Sequence, residues 1–278
     1  MTEFVKVADG EIAYDVAGKG PLIVLAHGMG DNRDAFGAMA AQLVDAGYRV
    51  AKVDLRGHGE SSADWSSYSR TDSAGDLLAV VRHLGGPAVL VGHSFAGGAV
   101  TIAAAQEPGL VSGIVQIAPF TRGQKMSLGG VFTHARYRKG VLLLLGTAVF
   151  RSIGLWKRYL AHAVPGITPS GFAEHLASID ADLRRPGRMK VMTAMGLSPA
   201  TDAGAQLGNV RCAALVVQGS LDPDWVDPRA EGEAIVAAMP RGLGRLEVIE
   251  GAGHYPHVQR PDEVVALVLG FLGADVRG

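Results

Sequence analysis

Val89-Leu90-Val91-Gly92-His93-Ser94-Phe95-Ala96-Gly97-Gly98 runs from an apolar segment into a Gly, a Ser and a string of small residues. The Val/Leu run reads as a buried strand, and the small residues after it read as the start of a closely packed helix. A Ser between the two stands at a sharp strand-to-helix corner and takes a strained backbone conformation. Residues two places to either side of it must be small, because strand end and helix start nearly touch there. Gly92 meets that need, while Ala96 stands where a second Gly is usual. Such a corner is the layout of a nucleophile elbow, and Ser94 is the first candidate for chemistry.

To either side of this corner the chain alternates between short apolar runs and helical periodicity. Phe4 to Val7 and Ile12 to Val16 flank Asp9-Gly10 and predict a hairpin. Leu22 to Ala26, Tyr48 to Val53, Ala88 to Val91 and Gly113 to Ile117 read as buried strands. Between them, Phe36, Met39, Ala40, Leu43 and Val44 form one helical face ended by Gly47. Leu77, Leu78, Val81 and Leu84 form another, ended by Gly85-Gly86. After Pro119 the alternation stops, and 121–206 reads as helices and loops with a Pro/Gly-rich linker at Pro165 to Pro169. It resumes with Ala213 to Val217, a helix near Arg229 to Met239, the strand Arg245 to Ile249 and a closing helix Asp262 to Leu272. The pattern predicts an α/β core, 1–120 and 207–278, with helices on both faces of a mostly parallel sheet and a helical insertion at 121–206.

Composition sets bounds on this reading. The chain has 278 residues, 48% hydrophobic and 19% charged, which suits a globular protein able to bury a sizeable core. A net charge of −1 leaves no electrostatic footprint for nucleic acid or anionic membrane. The basic groups Arg136, Arg138, Lys139 and Arg184, Arg185, Arg188 read as solvated surface. The single cysteine, Cys212, excludes an internal disulfide framework and reads as a core thiol. The Val141-to-Phe150 run is too short to span a bilayer, and the acidic, alternating start does not read as a signal peptide. A cytoplasmic protein is the expectation.

A serine hydroxyl needs a base, and the base needs an orienting acid. In parallel sheets the working groups sit at the carboxyl ends of strands. His254 follows the strand Arg245 to Ile249 in Gly251-Ala252-Gly253-His254-Tyr255-Pro256. Asp222 follows Ala213 to Val217 in Gln218-Gly219-Ser220-Leu221-Asp222-Pro223. His27-Gly28-Met29-Gly30 follows the first parallel strand, where small residues let backbone approach a substrate. The amides of Met29 and of Phe95, at the N-terminus of the helix after Ser94, are the candidates for binding an oxyanion.

With these pieces in place the chain resembles the α/β-hydrolase superfamily of serine hydrolases. The resemblance covers the first 120 residues and about the last 70, and it includes Asp54-Leu55-Arg56-Gly57-His58-Gly59-Glu60-Ser61 and Arg260-Pro261-Asp262-Glu263-Val264. It implies Ser94 as nucleophile, His254 as general base and acid, Asp222 as orienting carboxylate, Met29 and Phe95 as oxyanion amides, no cofactor, and a helical cap over the site. Ala96 is the departure from the family's pattern, and Gly97-Gly98 could let the helix sit closer in compensation.

Each assignment has competitors. His27, beside the oxyanion loop, is a candidate for the substrate pocket, with a structural hydrogen bond as the plainer reading. His93 should point away from the site, and His257 lacks the Gly-x-Gly approach of His254. Asp224 and Asp227 compete with Asp222, which alone stands three residues after Gly219. Asp54, Arg56 and backbone are expected to brace their own loop. Dispersed histidines and absent paired spacings argue against a metal, and Arg33 breaks a dinucleotide fingerprint after Gly28 and Gly30. Trp156 and Trp225 are pocket candidates, and the aromatic content of 121–206 favours an apolar or aromatic small molecule as substrate. The expected function is acyl cleavage of an ester or a related compound by a carboxylesterase-like enzyme. The alternatives are carbon–carbon bond, lactone or thioester hydrolysis, acyl transfer, or a small-molecule sensor on the same fold.

Overall fold

The computed structural model describes residues 1–123 and 126–276. Its strands are β1 (Glu3–Val7), β2 (Gly10–Ala17), β3 (Leu22–Ala26), β4 (Arg49–Val53), β5 (Ala88–His93), β6 (Val111–Ile117), β7 (Ala213–Gly219) and β8 (Gly244–Ile249). They form one sheet in the order β1-β2-β4-β3-β5-β6-β7-β8. β1 and β2 pair antiparallel, as do β2 and β4, and every other pairing is parallel. The hairpin differs from expectation by one residue. Ala8-Asp9 forms its loop and Gly10 already pairs with Val7, in a position where a Cβ would meet the Trp65 ring.

Continuous apolar strands are explained by two covered faces. Val24 and Ala26 of β3, Leu90 of β5 and Val216 of β7 point into one core. Their neighbours Ile23, Leu25, Val91, Leu215 and Val217 point into the other. Helices α1 (Gly37–Asp45), α2 (Arg70–His83) and α3 (Phe95–Gln106) lie along the first half of the sheet. The first core takes α2 and α3, with Leu77, Val81, Ala99 and Val100, and the second takes α1, with Met39 and Leu43. Helix α2 starts at a capping box, in which Ser69 and Asp72 satisfy each other's backbone N–H, an arrangement worth about 1 kcal/mol.

Between β6 and β7 the described residues form helices only: α4 (Leu128–Thr133), α5 (Ala135–Phe150), α6 (Ile153–Ala163), α7 (Phe172–Leu183), α8 (Arg188–Leu197) and α9 (Thr201–Gln206). A third apolar cluster, with Trp156, Tyr159, Leu160, Ile179, Leu183 and Met192, holds α6, α7 and α8 together. α9 instead packs on α2 and α3, and its Ala203 belongs to the first core. Arg188 corrects the reading of the basic groups: it is buried and donates to the Gly59 and Ser61 carbonyls, fastening α8 to the sheet domain. Further ties run from Asn32 to Ser178 and from His175 to Asp31.

Helix α10 (Pro228–Ala237) lies between β7 and β8, and α11 (Pro256–Gln259) and α12 (Pro261–Phe271) follow β8, α12 covering the second core with Val264, Val268 and Phe271. Cys212 is partly buried against the first core, and burial pushes its thiol up to about 11. No helix of the described residues is long and apolar enough to cross a membrane.

Candidate active site

Ser94 sits between β5 and α3 with φ 52° and ψ −116°, outside the regions a non-Gly residue ordinarily occupies. Strain of this kind costs about 1–3 kcal/mol and persists where neighbours over-determine the backbone. Three hydrogen bonds do so: Ser94 N–H to Ile117 O at 2.8 Å, and Gly97 N–H and Phe120 N–H to Ser94 O, both at 3.0 Å. The small-residue requirement falls on Gly92, where a Cβ would strike the Ala96 carbonyl. Ala96 itself is fully buried in the first core, so its methyl packs inward and the corner accommodates it.

His254 follows β8 and is fixed through its backbone. Its N–H donates to Ala163 O and its carbonyl accepts from His93 Nε2, both at 2.8 Å. Its Nδ1 lies 2.8 Å from Asp222 Oδ2, and Asp222 is fully buried after β7. The second Asp222 oxygen accepts the Asp224 N–H at 2.9 Å. His254 and Ser94 both line one cavity of about 480 Å³. Among the described residues no hydrogen bond joins Ser94 Oγ to His254. Such bonds commonly tighten only once a substrate is bound.

A second carboxylate also reaches the imidazole. Asp224 Oδ2 is 3.4 Å from His254 Nδ1 and accepts the Tyr159 hydroxyl at 2.7 Å. Burial pushes the His254 imidazole down, but Asp222 and Asp224 more than offset this and leave it raised. Burial raises Asp224, and the Asp222 charge adds to that rise. Burial and both carboxylates raise the Tyr159 phenol well above its usual value. Asp222, Asp224 and His254 lie close enough together to consider a cation, but the same atoms are bonded to one another.

The Met29 amide has no acceptor among the described residues, and the Phe95 amide stands in the first turn of α3, where N–H groups lack intrahelical partners. The Met29 loop is set from behind. Gly30 N–H donates to His58 Nε2 at 3.0 Å and Trp156 Nε1 donates to Gly30 O at 3.1 Å. A Cβ at Gly28 would come within 3.0 Å of Ser94 Cβ, so this loop and the elbow touch.

The other candidates separate cleanly. His27 is fully buried and does not line the cavity. Its Nε2 accepts the Leu55 N–H at 3.0 Å, so Nδ1 carries the proton and donates to Gly28 O at 2.7 Å. It braces the loop and, contrary to expectation, is not a pocket residue. Trp156 lines the cavity, whereas Trp225 lines a neighbouring one and packs on Phe120. His257 is stacked on Phe36, and burial pushes it down to about 3. Asp227 caps α10 through the Ala230 N–H. Asp54 and Arg56 do brace their loop, but not with each other: Asp54 pairs with Arg33, and Arg56 with Asp76 at 2.7 Å. Sequence reading missed Arg70 and Phe120 as cavity residues, since each reaches the site only through tertiary packing.

A profile of the alpha/beta hydrolase family matches residues 23–267. The chain belongs to the alpha/beta hydrolase family and is an α/β-hydrolase enzyme. It is 28% identical to 2-(acetamidomethylene)succinate hydrolase of Mesorhizobium japonicum over 286 residues, covering 97% of this chain and 95% of that protein. It is 28% identical to the pimeloyl-[acyl-carrier protein] methyl ester esterase of Chromobacterium violaceum over 252 residues, covering 90% of this chain and 94% of that one. Among solved structures, an esterase from a Rhodococcus species superposes with a TM-score of 0.78 at 26% identity, covering 98% of both chains.

Proposed function

We propose that this protein is a serine hydrolase that cleaves a small ester, or a related acyl compound, through an acyl-enzyme. The observation that carries the reading is the 2.8 Å contact of His254 Nδ1 with the buried Asp222, made by an imidazole that shares a cavity with Ser94. Asp222 holds Nδ1 protonated, which leaves Nε2 to take the Ser94 proton as Oγ attacks the carbonyl carbon. The oxyanion binds between the Met29 and Phe95 amides. Imidazolium then gives its proton to the leaving alcohol, and water activated by the same Nε2 releases the acid. Two relatives whose names end in hydrolase and esterase support this class of chemistry.

The helical segment serves as a cap in this proposal, with the core at 1–120 and 207–278. Its end is better placed before α9, which packs on the core helices. Phe120, Leu144, Ala148 and Met192 line the cavity and favour an apolar acyl or alcohol group. A fluorophosphonate probe tests the nucleophile: it should label the native chain stoichiometrically and leave Ser94→Ala unlabelled. An unlabelled native protein would sink the reading.

A further inference from the structure

Arg70 is the first residue of α2 and is 5% exposed, yet it lines the same cavity as Ser94. No carboxylate among the described residues lies within ion-pair distance of it. Asp202 is the nearby negative charge, and its oxygen accepts from Thr71 N and Oγ1 instead. A buried cation without a counter-charge is costly, and α2 adds to the cost because its positive dipole end lies at the same place. Burial lowers the guanidinium only to about 10, so it stays charged at neutral pH.

The side chain is held in one position. Nε donates to Phe120 O at 3.0 Å and Nη1 to Ser198 O at 2.9 Å, and the guanidinium stacks 4.3 Å from the Phe95 ring centroid. Room for its stem is made by Gly98, where a Cβ would come within 2.5 Å of Arg70 Cδ. Nη2 has no acceptor among the described residues and is not sealed from solvent. Arg122, the other cation on the cavity wall, is paired with Glu231 at 3.1 Å. His254 and Asp224 also line the cavity, but His254 is paired with Asp222, and Asp224 with His254 and the Tyr159 hydroxyl. Among the described lining residues the unpaired positive charge therefore belongs to Arg70, beside the residue that follows Ser94.

We propose that Arg70 is a carboxylate-binding subsite, so that the substrate is an acyl compound bearing a free carboxylate, such as a hemiester of a dicarboxylic acid. This rests on the serine-hydrolase reading and specifies its substrate class. The carboxylate accepts from Nη2 and supplies the missing counter-charge, while the ester carbonyl lies at Ser94. An Arg that merely tied Phe120 to Ser198 would add stability without charge selectivity.

Kinetics on p-nitrophenyl butyrate and on the mono-p-nitrophenyl ester of glutaric acid separate these roles. In the native chain, kcat/KM should favour the anionic ester by about tenfold or more, as expected of a charge-assisted hydrogen bond. In Arg70→Met that ratio should collapse, chiefly through the KM of the anionic ester, and Arg70→Lys should recover part of it. A native ratio at or below one, or a ratio unchanged in Arg70→Met, overturns the proposal. Calorimetry with glutarate needs no turnover and reads the subsite directly. Native binding weakened about tenfold or more in Arg70→Met supports it, and equal native binding of glutarate and glutaramide overturns it. Should Arg70→Met fail to fold, the glutarate–glutaramide comparison on the native chain decides alone. Failure of probe labelling and of all ester cleavage counts against the serine-hydrolase reading instead.

Discussion

The sheet and the helices between β6 and β7 bury their apolar residues very differently. In β3 and β5 every residue is buried, and alternate side chains enter two cores closed by α1, α2, α3 and α12. In α4 and α5 much of the apolar surface stays outside: Phe132 is 81% exposed and Phe150 74%. The sheet domain is over-determined, and it holds Ser94, Asp222 and His254 on separate strand ends with little freedom. The helical segment rests on the small Trp156–Tyr159–Met192 cluster and a few polar ties, so it supplies cavity wall more than framework. On the proposed reading the chemistry belongs to the first region, while the cavity wall is shared between the second region and Arg70 of α2. Changes in the two should therefore differ in size and in kind.

Among changes that leave Ser94, Asp222 and His254 in place, the largest effect is expected at the elbow. In Gly92→Ala the new methyl meets the Ala96 carbonyl, which is backbone and cannot swing aside. The elbow must move, and a displacement near 1 Å at a reacting group costs about 10²-fold in rate. We expect kcat to fall by about that factor, with a lowered Tm, while KM changes little. An active, stable Gly92→Ala protein would break the claim that the strand-to-helix contact fixes Ser94.

That contact was legible in the sequence because it is local. Gly92, Ser94 and Gly97 lie within six positions, and a continuous Val/Leu run announces a strand whose two faces are both covered. Asp222 and His254 were legible for a related reason, since each leaves a recognisable strand by a Gly-containing loop. The cavity wall was not. Arg70 reads as an ordinary first-turn residue after Ser69, and Tyr159 as one aromatic in an amphipathic helix. Their roles arise only when α6 docks Tyr159 on Asp224, 65 residues away, and Ser198 meets Arg70. The Val141-to-Phe150 run shows the same limit. Its apolar character promised burial, but only a minority of its side chains, Leu144 and Leu145 among them, border the cavity.

A middle-sized effect lies where the two regions meet, at Asp224. Its carboxylate helps to keep the His254 imidazole charged, and the proposed reaction needs that imidazole neutral, so activity is expected to rise as pH rises through its ionisation. Removing the charge in Asp224→Asn lowers the His254 value, and the acidic limb of kcat/KM should move to lower pH by about one unit. The companion Asp222→Asn should instead lose about 10⁴-fold in kcat, because the imidazole loses its tautomer and orientation. A pH-rate profile of both variants ranks the two carboxylates. Equal losses, or an Asp224→Asn limb displaced upward, would remove the distinction between an orienting and a tuning carboxylate.

The smallest expected effect comes from Trp156, the point at which the helical segment touches the Met29 loop. Its Nε1–H donates to Gly30 O at 3.1 Å, and Met29 packs against both the first core and the Trp156 cluster. Trp156→Phe keeps most of the apolar contact but deletes that donor, a loss of about 1 kcal/mol. Since the Gly30 N–H remains tied to His58, the loop should loosen without leaving its place. We therefore expect kcat/KM to drop about fivefold, with probe labelling slowed to the same degree and Tm nearly unchanged. Ester chain-length preference should widen as well, because the smaller ring enlarges the cavity that Trp156 lines. If the loss instead reached that of Gly92→Ala, the helical segment would be framework as much as wall, and the contrast between the two regions would fail.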